Sequence, residues 1–368
     1  MTGRTEVDAL TKVTARLGDA VVDPAIWPQI MEEICRAFAT TGAVLLQSDV
    51  RTPDVPRTEA IDEVMRAYFN DDWGARDEIA KYGVPRLLAG EVITNQDLFT
   101  LEHMRRSPFY NDLVLPYGFQ WFAGVGFWAG PAFWALAMHR SPRDGPFEAR
   151  DKQLLGQLAP RLTETATLST AVGRAVLTGM TDVLDQVRQP AVILHRHGHV
   201  LGANAAAEAG FDDEIRVKDR RLFIRDQQAA KKVNEICQLM RFSSDTAALP
   251  ADPIVVHRTE KPPVLLRILA IGGAARNVFL GARALLILGN LTPPVGPEPR
   301  ALSQAFDLTP AEARVASLLV EGRSVNSTAQ RLGVAPNTVR KQLKSIFFKT
   351  GTHRQGELIA LLTQLKVR

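Results

Sequence analysis

Between Leu308 and Gly351 the chain reads LTPAEARVASLLVEGRSVNSTAQRLGVAPNTVRKQLKSIFFKTG, with helix starts and stops spelled out at short intervals. Thr309 can accept at an N-cap, Pro310 suits a first helical position, and Glu312 three residues on can close a capping box. Ala311, Val315, Leu318 and Leu319 recur at helical spacing and predict one buried stripe. Gly322 is placed to end this helix. Ser324 can cap a second, with Ala329 and Leu332 facing inward and Gly333 closing it. Pro336 stands where a third would begin.

Turning the third helix by about 100° per residue, with Arg340 at zero, puts Val339, Leu343, Ile346 and Phe347 on one side. Asn337, Lys341 and Lys344 fall on the other, beside Arg340. Phe348 lands near this polar strip, and we expect its ring to be covered by a following helix. Gly351 ends the third helix, and Thr352-x-x-Gln355 offers a second capping box for a fourth through Leu358, Ile359, Leu361 and Leu362. From Arg300 onward there are eleven basic and four acidic residues, a net +7, so the preceding 299 residues carry −3 of the chain's +4. A basic tail on a slightly acidic body is the electrostatic footprint of a nucleic-acid reader.

The segment resembles the LuxR-type (GerE-like) helix-turn-helix of bacterial transcription regulators. LTPAEARV, the E-G turn, A-x-R-L-G-V, N-T-V-R and the K-T-G exit carry the likeness, over about a sixth of the chain. The resemblance implies that 334–350 holds a recognition helix whose N-terminal half enters the major groove. It places Arg340, Lys341 and Lys344 against bases or phosphates and Thr338 against the backbone. With Asn337 and Lys349 these form the DNA-binding set we expect. By the same likeness, 355–365 is the helix through which two such domains pair. Ala335 departs from a common capping Ser, Thr328 from Ile, Thr350 from Leu, and Arg323 from an apolar residue. The partners so implied are double-stranded promoter DNA, RNA polymerase and a second copy in a homodimer.

At 368 residues there is room for two or three domains, and a hydrophobic fraction of 46% excludes a mainly disordered chain. Cys35 and Cys237 lie far apart with no metal-type spacing, which predicts two thiols in a reducing, cytoplasmic setting. No basic-then-apolar leader opens the chain. Trp121 to Met138 lacks formal charge, but Gly124, Gly126 and Gly130-Pro131 break it and its aromatics favour strands. We read two strands joined at 129–131 and no membrane partner.

Upstream, 7–21, 26–38 and 61–69 read as helices, 43–47 as a strand, 139–146 as a polar loop and 147–168 as a long helix. Strands followed by a long exit helix resemble a GAF-type or autoinducer-type sensory fold. AVILHRHGHVLGANAAAEAGF, from Ala191 to Phe211, reads as strand, His-Gly turn, strand and a helix entered at Asn204. It is similar to the opening of a PAS domain, in which the Asn side chain ties strand end to helix. Residues 254–258, 263–271 and 284–288 would supply later strands. The fold class expected is therefore multidomain. A GAF-like α+β domain over 1–165, a helical linker over 166–180 and a PAS-like α+β domain over 181–290 come first. A proline-rich linker over 291–302 and an all-α four-helix helix-turn-helix over 303–368 follow.

His195, His197 and His199 would share one face of a straight strand and could bind a metal, but the turn at His197-Gly198 favours a polar hairpin tip. Tyr68, Trp73, Asp77 and Tyr82 cluster after the third helix. In acyl-homoserine-lactone sensors, aromatics upstream of an Asp hold the lactone amide. Here Glu78 replaces the usual Pro and the aromatic spacing differs, so a packed aromatic core is the plainer reading. As walls of a pocket for an unidentified small molecule the candidates are Tyr68, Trp73, Asp77 and Trp121. No phosphate loop, nucleophile elbow or H-E-x-x-H is present. We expect no enzyme activity, no cofactor and no metal, and a cytoplasmic bacterial regulator whose sensory domains control promoter binding. The alternatives are a quorum sensor for acyl-homoserine lactones and a protein-interaction adaptor with a helical docking tail.

Overall fold

In the computed structural model, residues 10–48, 54–242, 249, 252–290 and 296–364 are described. The chain is a mixed α+β multidomain molecule with a helical C-terminal region. Its backbone divides into two compact units: Met1–Asp185, Gln189–Val256 and Leu266–Leu288 form one, and Gln186–Arg188, His257–Leu265 and Gly289–Arg368 the other.

After a short N-terminal helical stretch, the first unit contains helix α1 (Trp27–Ala37), strand β1 (Gly42–Gln47) and helices α2 (Asp62–Asn70) and α3 (Glu78–Leu88). Strands β2 (Ile93–Thr94), β3 (Trp121–Ala129) and β4 (Ala132–Arg140) complete an antiparallel sheet of order β1-β4-β3-β2. The aromatic run forms the hairpin expected. Ala129 pairs with Ala132, leaving a two-residue turn whose first member, Gly130, takes φ +61°, where a side chain would be strained. The helix expected over 7–21 is helical from 10 to 16, turns at 17–18 and resumes as Asp19–Val22; residues 7–9 lie outside the described ones.

Helix α4 (Ala149–Gln186) has 38 residues, about 57 Å at 1.5 Å each. It starts two residues later than expected and runs 18 residues past Leu168, so positions 165 and 180 both lie inside it. Leu154, Leu155, Leu158 and Leu162 are buried along it as the periodicity requires.

A second sheet has order β6-β5-β11-β10-β9, from β5 (Ala191–His195), β6 (Val200–Ala203), β9 (Ile254–Val256), β10 (Val264–Ala270) and β11 (Ala282–Asn290). Between β6 and β9 come helix α5 (Ala205–Gly210), the hairpin β7 (Ile215–Lys218) with β8 (Arg221–Ile224), and helix α6 (Gln227–Phe242). Asn204 ties strand to helix as expected. Its Oδ1 accepts from the amides of Ala191 and Ala207, and its Nδ2 donates to the Gln189 carbonyl.

Two contacts bind this sheet's connections to the aromatic core of the first. Phe279 sits edge-on to Trp27, Phe127 and Trp134 at 5.5, 6.0 and 5.1 Å between centroids. Arg283 donates to the Asp54 carboxylate at 2.5 Å, and Arg196 to the Asp54 carbonyl at 2.6 Å, with all three side chains buried.

The C-terminal helices are α7 (Pro299–Phe306), α8 (Pro310–Val320), α9 (Val325–Leu332), α10 (Pro336–Thr350) and α11 (Gln355–Gln364). Among the described residues five helices stand here, not four. Pro299 is the first residue of a helix rather than linker, and Leu302 is fully buried. Positions 291–295 of the linker reading lie outside the described residues.

Candidate functional site

Each helix end in the C-terminal unit follows from a local signal. Thr309 Oγ1 accepts the Glu312 amide at 3.3 Å and Glu312 Oε2 accepts the Thr309 amide at 2.8 Å, the capping box read from the sequence. Ser324 Oγ accepts the Ser327 amide, and Gly333 and Gly351 close α9 and α10 at φ +66° and +68°. Ala335 makes no side-chain cap for α10. The second capping box does not form. Helix α11 begins at Gln355, Glu357 takes the His353 amide instead, and Thr352 shares a hydroxyl bond with Thr350.

Val315 and Leu319 are fully buried on α8, but Ala313, Ala316 and Val320 join them while Ala311 and Leu318 are half-buried. The buried face is rotated from the stripe expected because α10 and α9 both pack on this helix. On α10, Val339 and Ile346 are fully buried, with Leu343 and Phe347 half-buried against them. Asn337, Thr338, Arg340, Lys341 and Lys344 are all exposed.

Lys349 stands apart from these five. Its ammonium donates to Glu312 Oε2 at 2.8 Å and to the Asp307 carbonyl at 2.9 Å, pinning the end of α10 to the start of α8. Burial pushes the Glu312 carboxyl up, but bonds from Lys349, Ser345 and Thr309 outweigh it and hold the group at about 2. Phe348 overturns an expectation: its side chain is 89% exposed, and α11 does not cover it. Thr328 is fully buried with no partner for its hydroxyl among the described residues.

A cavity of about 70 Å³ lies in the first unit, with Tyr68 and Asp77 in its wall. Tyr68 donates its hydroxyl to Asp77 Oδ2 at 2.9 Å, while Asp77 Oδ1 caps α3 by accepting the Ala80 amide at 2.8 Å. The other two residues expected here are elsewhere. Trp73 is buried beside Phe109, with the Arg76 guanidinium 3.9 Å over its ring, and lines an outer cleft with Asp77. Trp121 lines a separate pocket with Met104 and Tyr110, because alternation along β3 sends it away from the face that Phe122 shares with the cavity.

The wall residue missed in the sequence is His139. It pairs across the hairpin with Phe122, and Ala137 two residues earlier lines the same cavity. Period-two alternation along β4 was the signal that could have found it. Its imidazole packs against the rings of Phe119 and Phe122, and burial pulls its pKa down to about 4.

His195, His197 and His199 do meet, at 5.0 to 6.3 Å between ring centroids, around the turn at Gly198. Among the described residues no group of three or more His, Cys, Asp or Glu is arranged to hold a metal ion. Burial first, then Arg196, His197, Arg283 and His199, lowers His195 to about 3. Cys35 and Cys237 are free thiols, and no helix is long and apolar enough to cross a membrane among the described residues.

No family model and no curated protein matches the chain. Among solved structures it is similar to the phage VqmA–DPO complex at 17% identity, over 53% of this chain and 91% of that one, with a TM-score of 0.22. It is likewise similar to the E. coli DhaR(N)–DhaL complex at 10% identity, over 79% of this chain and 90% of that one, with a TM-score of 0.24. Both superpositions are too loose to carry a fold or a function across.

Proposed function

We propose that this chain is a DNA-binding transcription regulator whose N-terminal sensory unit controls promoter binding by the C-terminal helices. One observation carries the reading. Helix α10 buries Val339 and Ile346 while leaving Asn337, Thr338, Arg340, Lys341 and Lys344 exposed, within a segment of net +7. Hydrogen-bonding and cationic side chains on the first three turns of one helix fit a major groove. In this reading the protein works in the cytoplasm as a homodimer that presents two α10 helices to successive half-sites and assists or blocks RNA polymerase. It performs no catalysis and needs no cofactor.

Fluorescence anisotropy on genomic fragments across a salt series tests this. Affinity falls steeply with salt, and removing one phosphate contact lowers the slope of log K against log salt by about 0.9. Lys341→Ala weakens a cognate site by about 1–3 kcal/mol if it reads a base. Equal loss on random duplex reduces Lys341 to a phosphate contact, and salt-independent binding overturns the reading.

Phe348 favours a second reading, a docking tail for a protein partner such as RNA polymerase, because an exposed aromatic ring suits a protein surface. The inner cavity of about 70 Å³ by itself has no space for the long acyl chain of an acyl-homoserine lactone.

A further inference from the structure

We propose that the outer face of α4 between Leu168 and Val183 pairs with the same face of a second copy of this chain. This rests on the homodimer of the regulatory reading and names the surface that forms it, though pairing can be tested without DNA.

Helix α4 changes partners along its length. Over its first half Leu154, Leu155, Leu158 and Leu162 are buried in the core of the first sheet. Over its second half Leu177 joins the buried cluster of Ala191, Ile193 and Leu285 from the second sheet. Gly173 comes so near the loop before β11 that a Cβ there would stand 3.1 Å from the Ala274 carbonyl. With Val176 at zero and about 100° per residue, Leu158 and Leu162 fall at about 0° and 40°, and Gly173 and Leu177 at about 60° and 100°. The second sheet therefore takes a face turned by roughly 60° from the first, and the earlier face runs on uncovered. Leu168, Val172, Val176, Met180 and Val183 occupy it, between about −80° and 40°. Leu168 and Val183 are 51% and 60% exposed, Val176 and Met180 are exposed too, and Val172 is half-buried.

A surface helix that packs on one side ordinarily turns polar groups outward. Here the charged residues of 165–185 avoid the stripe: Arg174, Asp182 and Asp185 fall at about 160°, −120° and 180°. Asp185 is engaged besides with the amides of Ala205 and Ala206 at the start of α5. From Leu168 to Val183 the stripe runs about 22 Å, some four turns. Exposed Ala175 and Gly179 flank it and leave room for a close neighbour. At these exposures two such faces remove on the order of 1,000 Å² from water when they meet, the lower bound for a specific interface. A two-fold axis beside the helix sets apolar positions against apolar positions, and with no charge in the stripe neither copy repels the other. Four turns are few for helices that must fold as they pair. Helix α4 is already ordered against both sheets, so pairing adds no cost of helix formation.

The test measures the mass of the full-length protein by sedimentation equilibrium across a dilution series. A reversible dimer is expected. Val176→Glu and Val183→Glu each place a carboxylate in the seam and raise the dissociation constant at least tenfold. Thr178→Glu, exposed on the same helix but at about −160°, changes it less than twofold. Circular dichroism is expected to be the same in all four proteins, because none of these positions is buried. A monomer at every concentration, a dimer indifferent to both seam variants (as pairing through α11 alone would be), or equal loss in Thr178→Glu would overturn the assignment. Should the seam variants fail to fold, the thiol of Met180→Cys decides through its rate of alkylation. Slowing as protein concentration rises supports the seam, and one rate at all concentrations overturns it. Anisotropy on a DNA fragment in the same samples separates the two claims. A seam-dependent dimer that binds no DNA overturns only the regulatory reading, and DNA binding with a dimer indifferent to the seam overturns only this one.

Discussion

Thr328 shows how one atom can work against a helix bundle. Its hydroxyl is buried inside the C-terminal unit without a partner, which costs about 1–3 kcal/mol relative to a satisfied group. Thr328→Val keeps the shape and removes the unmet bond, so it should raise the stability of that unit by about 1 kcal/mol in urea unfolding followed by far-ultraviolet circular dichroism. A fall in stability would mean that the hydroxyl has a partner in solution. The sequence likeness flagged Thr328 as a departure from Ile, and the structure supplies the cost. Phe348 ran the other way. Helical spacing placed it correctly beside the cationic strip, but exposure is decided by neighbours, and α11 leaves the ring in solvent. Phe348→Ala should leave the melting temperature within about 1 °C. If DNA or protein binding weakens while melting is unchanged, the ring acts at an interface.

Among the elements, α8 and α10 are joined by a pair that helical periodicity alone does not pair up. Lys349 spans from the last turn of α10 to Glu312 in the first turn of α8, where Glu312 also completes the capping box. Lys349→Met should destabilise the C-terminal unit by about 1–3 kcal/mol, because it strands a buried carboxylate. Restored stability in the double variant Lys349→Met/Glu312→Gln would identify the stranded charge as the cause. In the same way β4 delivers Ala137 and His139 to one face and leaves Trp121, across the hairpin on β3, beside a different pocket. Tyr68 and Asp77 were legible because their spacing after a helix is local. His139 was not, since its role depends on which sheet face the helices cover.

Over the whole molecule, acid should act on the two units at different pH. His139 and His195 are held neutral by burial, at about 4 and about 3, against about 6.5 in the unfolded chain. Their lowered values mean that stability is complete above pH 6.5 and is lost as pH falls toward 4, by at most about 1.4 kcal/mol per pH unit for each histidine. Glu312 contributes fully above its unfolded value of 4.5 and loses that contribution progressively as pH falls from there through about 2. All five tryptophans, at 27, 73, 121, 128 and 134, lie in the first unit, so their fluorescence follows it alone. The tryptophan unfolding midpoint should fall between pH 6.5 and 4.5 while the C-terminal helical signal holds; a midpoint flat over that range would contradict the buried-neutral assignment. Phe279→Ala should cost the first unit about 3–5 kcal/mol and shift tryptophan emission to the red, because the ring fills the space among Trp27, Phe127 and Trp134. Unchanged emission would detach that loop from the aromatic core.

The amino-acid order by itself determined the local features of this protein: the capping box at Thr309, the stops at Gly333 and Gly351, the hairpin at Gly130 and the Asn204 bridge. Each depends on backbone geometry and hydrogen bonds within a few residues, so composition and spacing suffice. Only tertiary structure decided that Pro299 begins a fifth C-terminal helix, that Lys349 is spent on Glu312, and that Phe279 enters a core assembled from residues more than a hundred positions away. It also decided that His139 faces a cavity. Burial and partnership at these positions depend on how separate elements pack, and no pattern along a single segment encodes that packing.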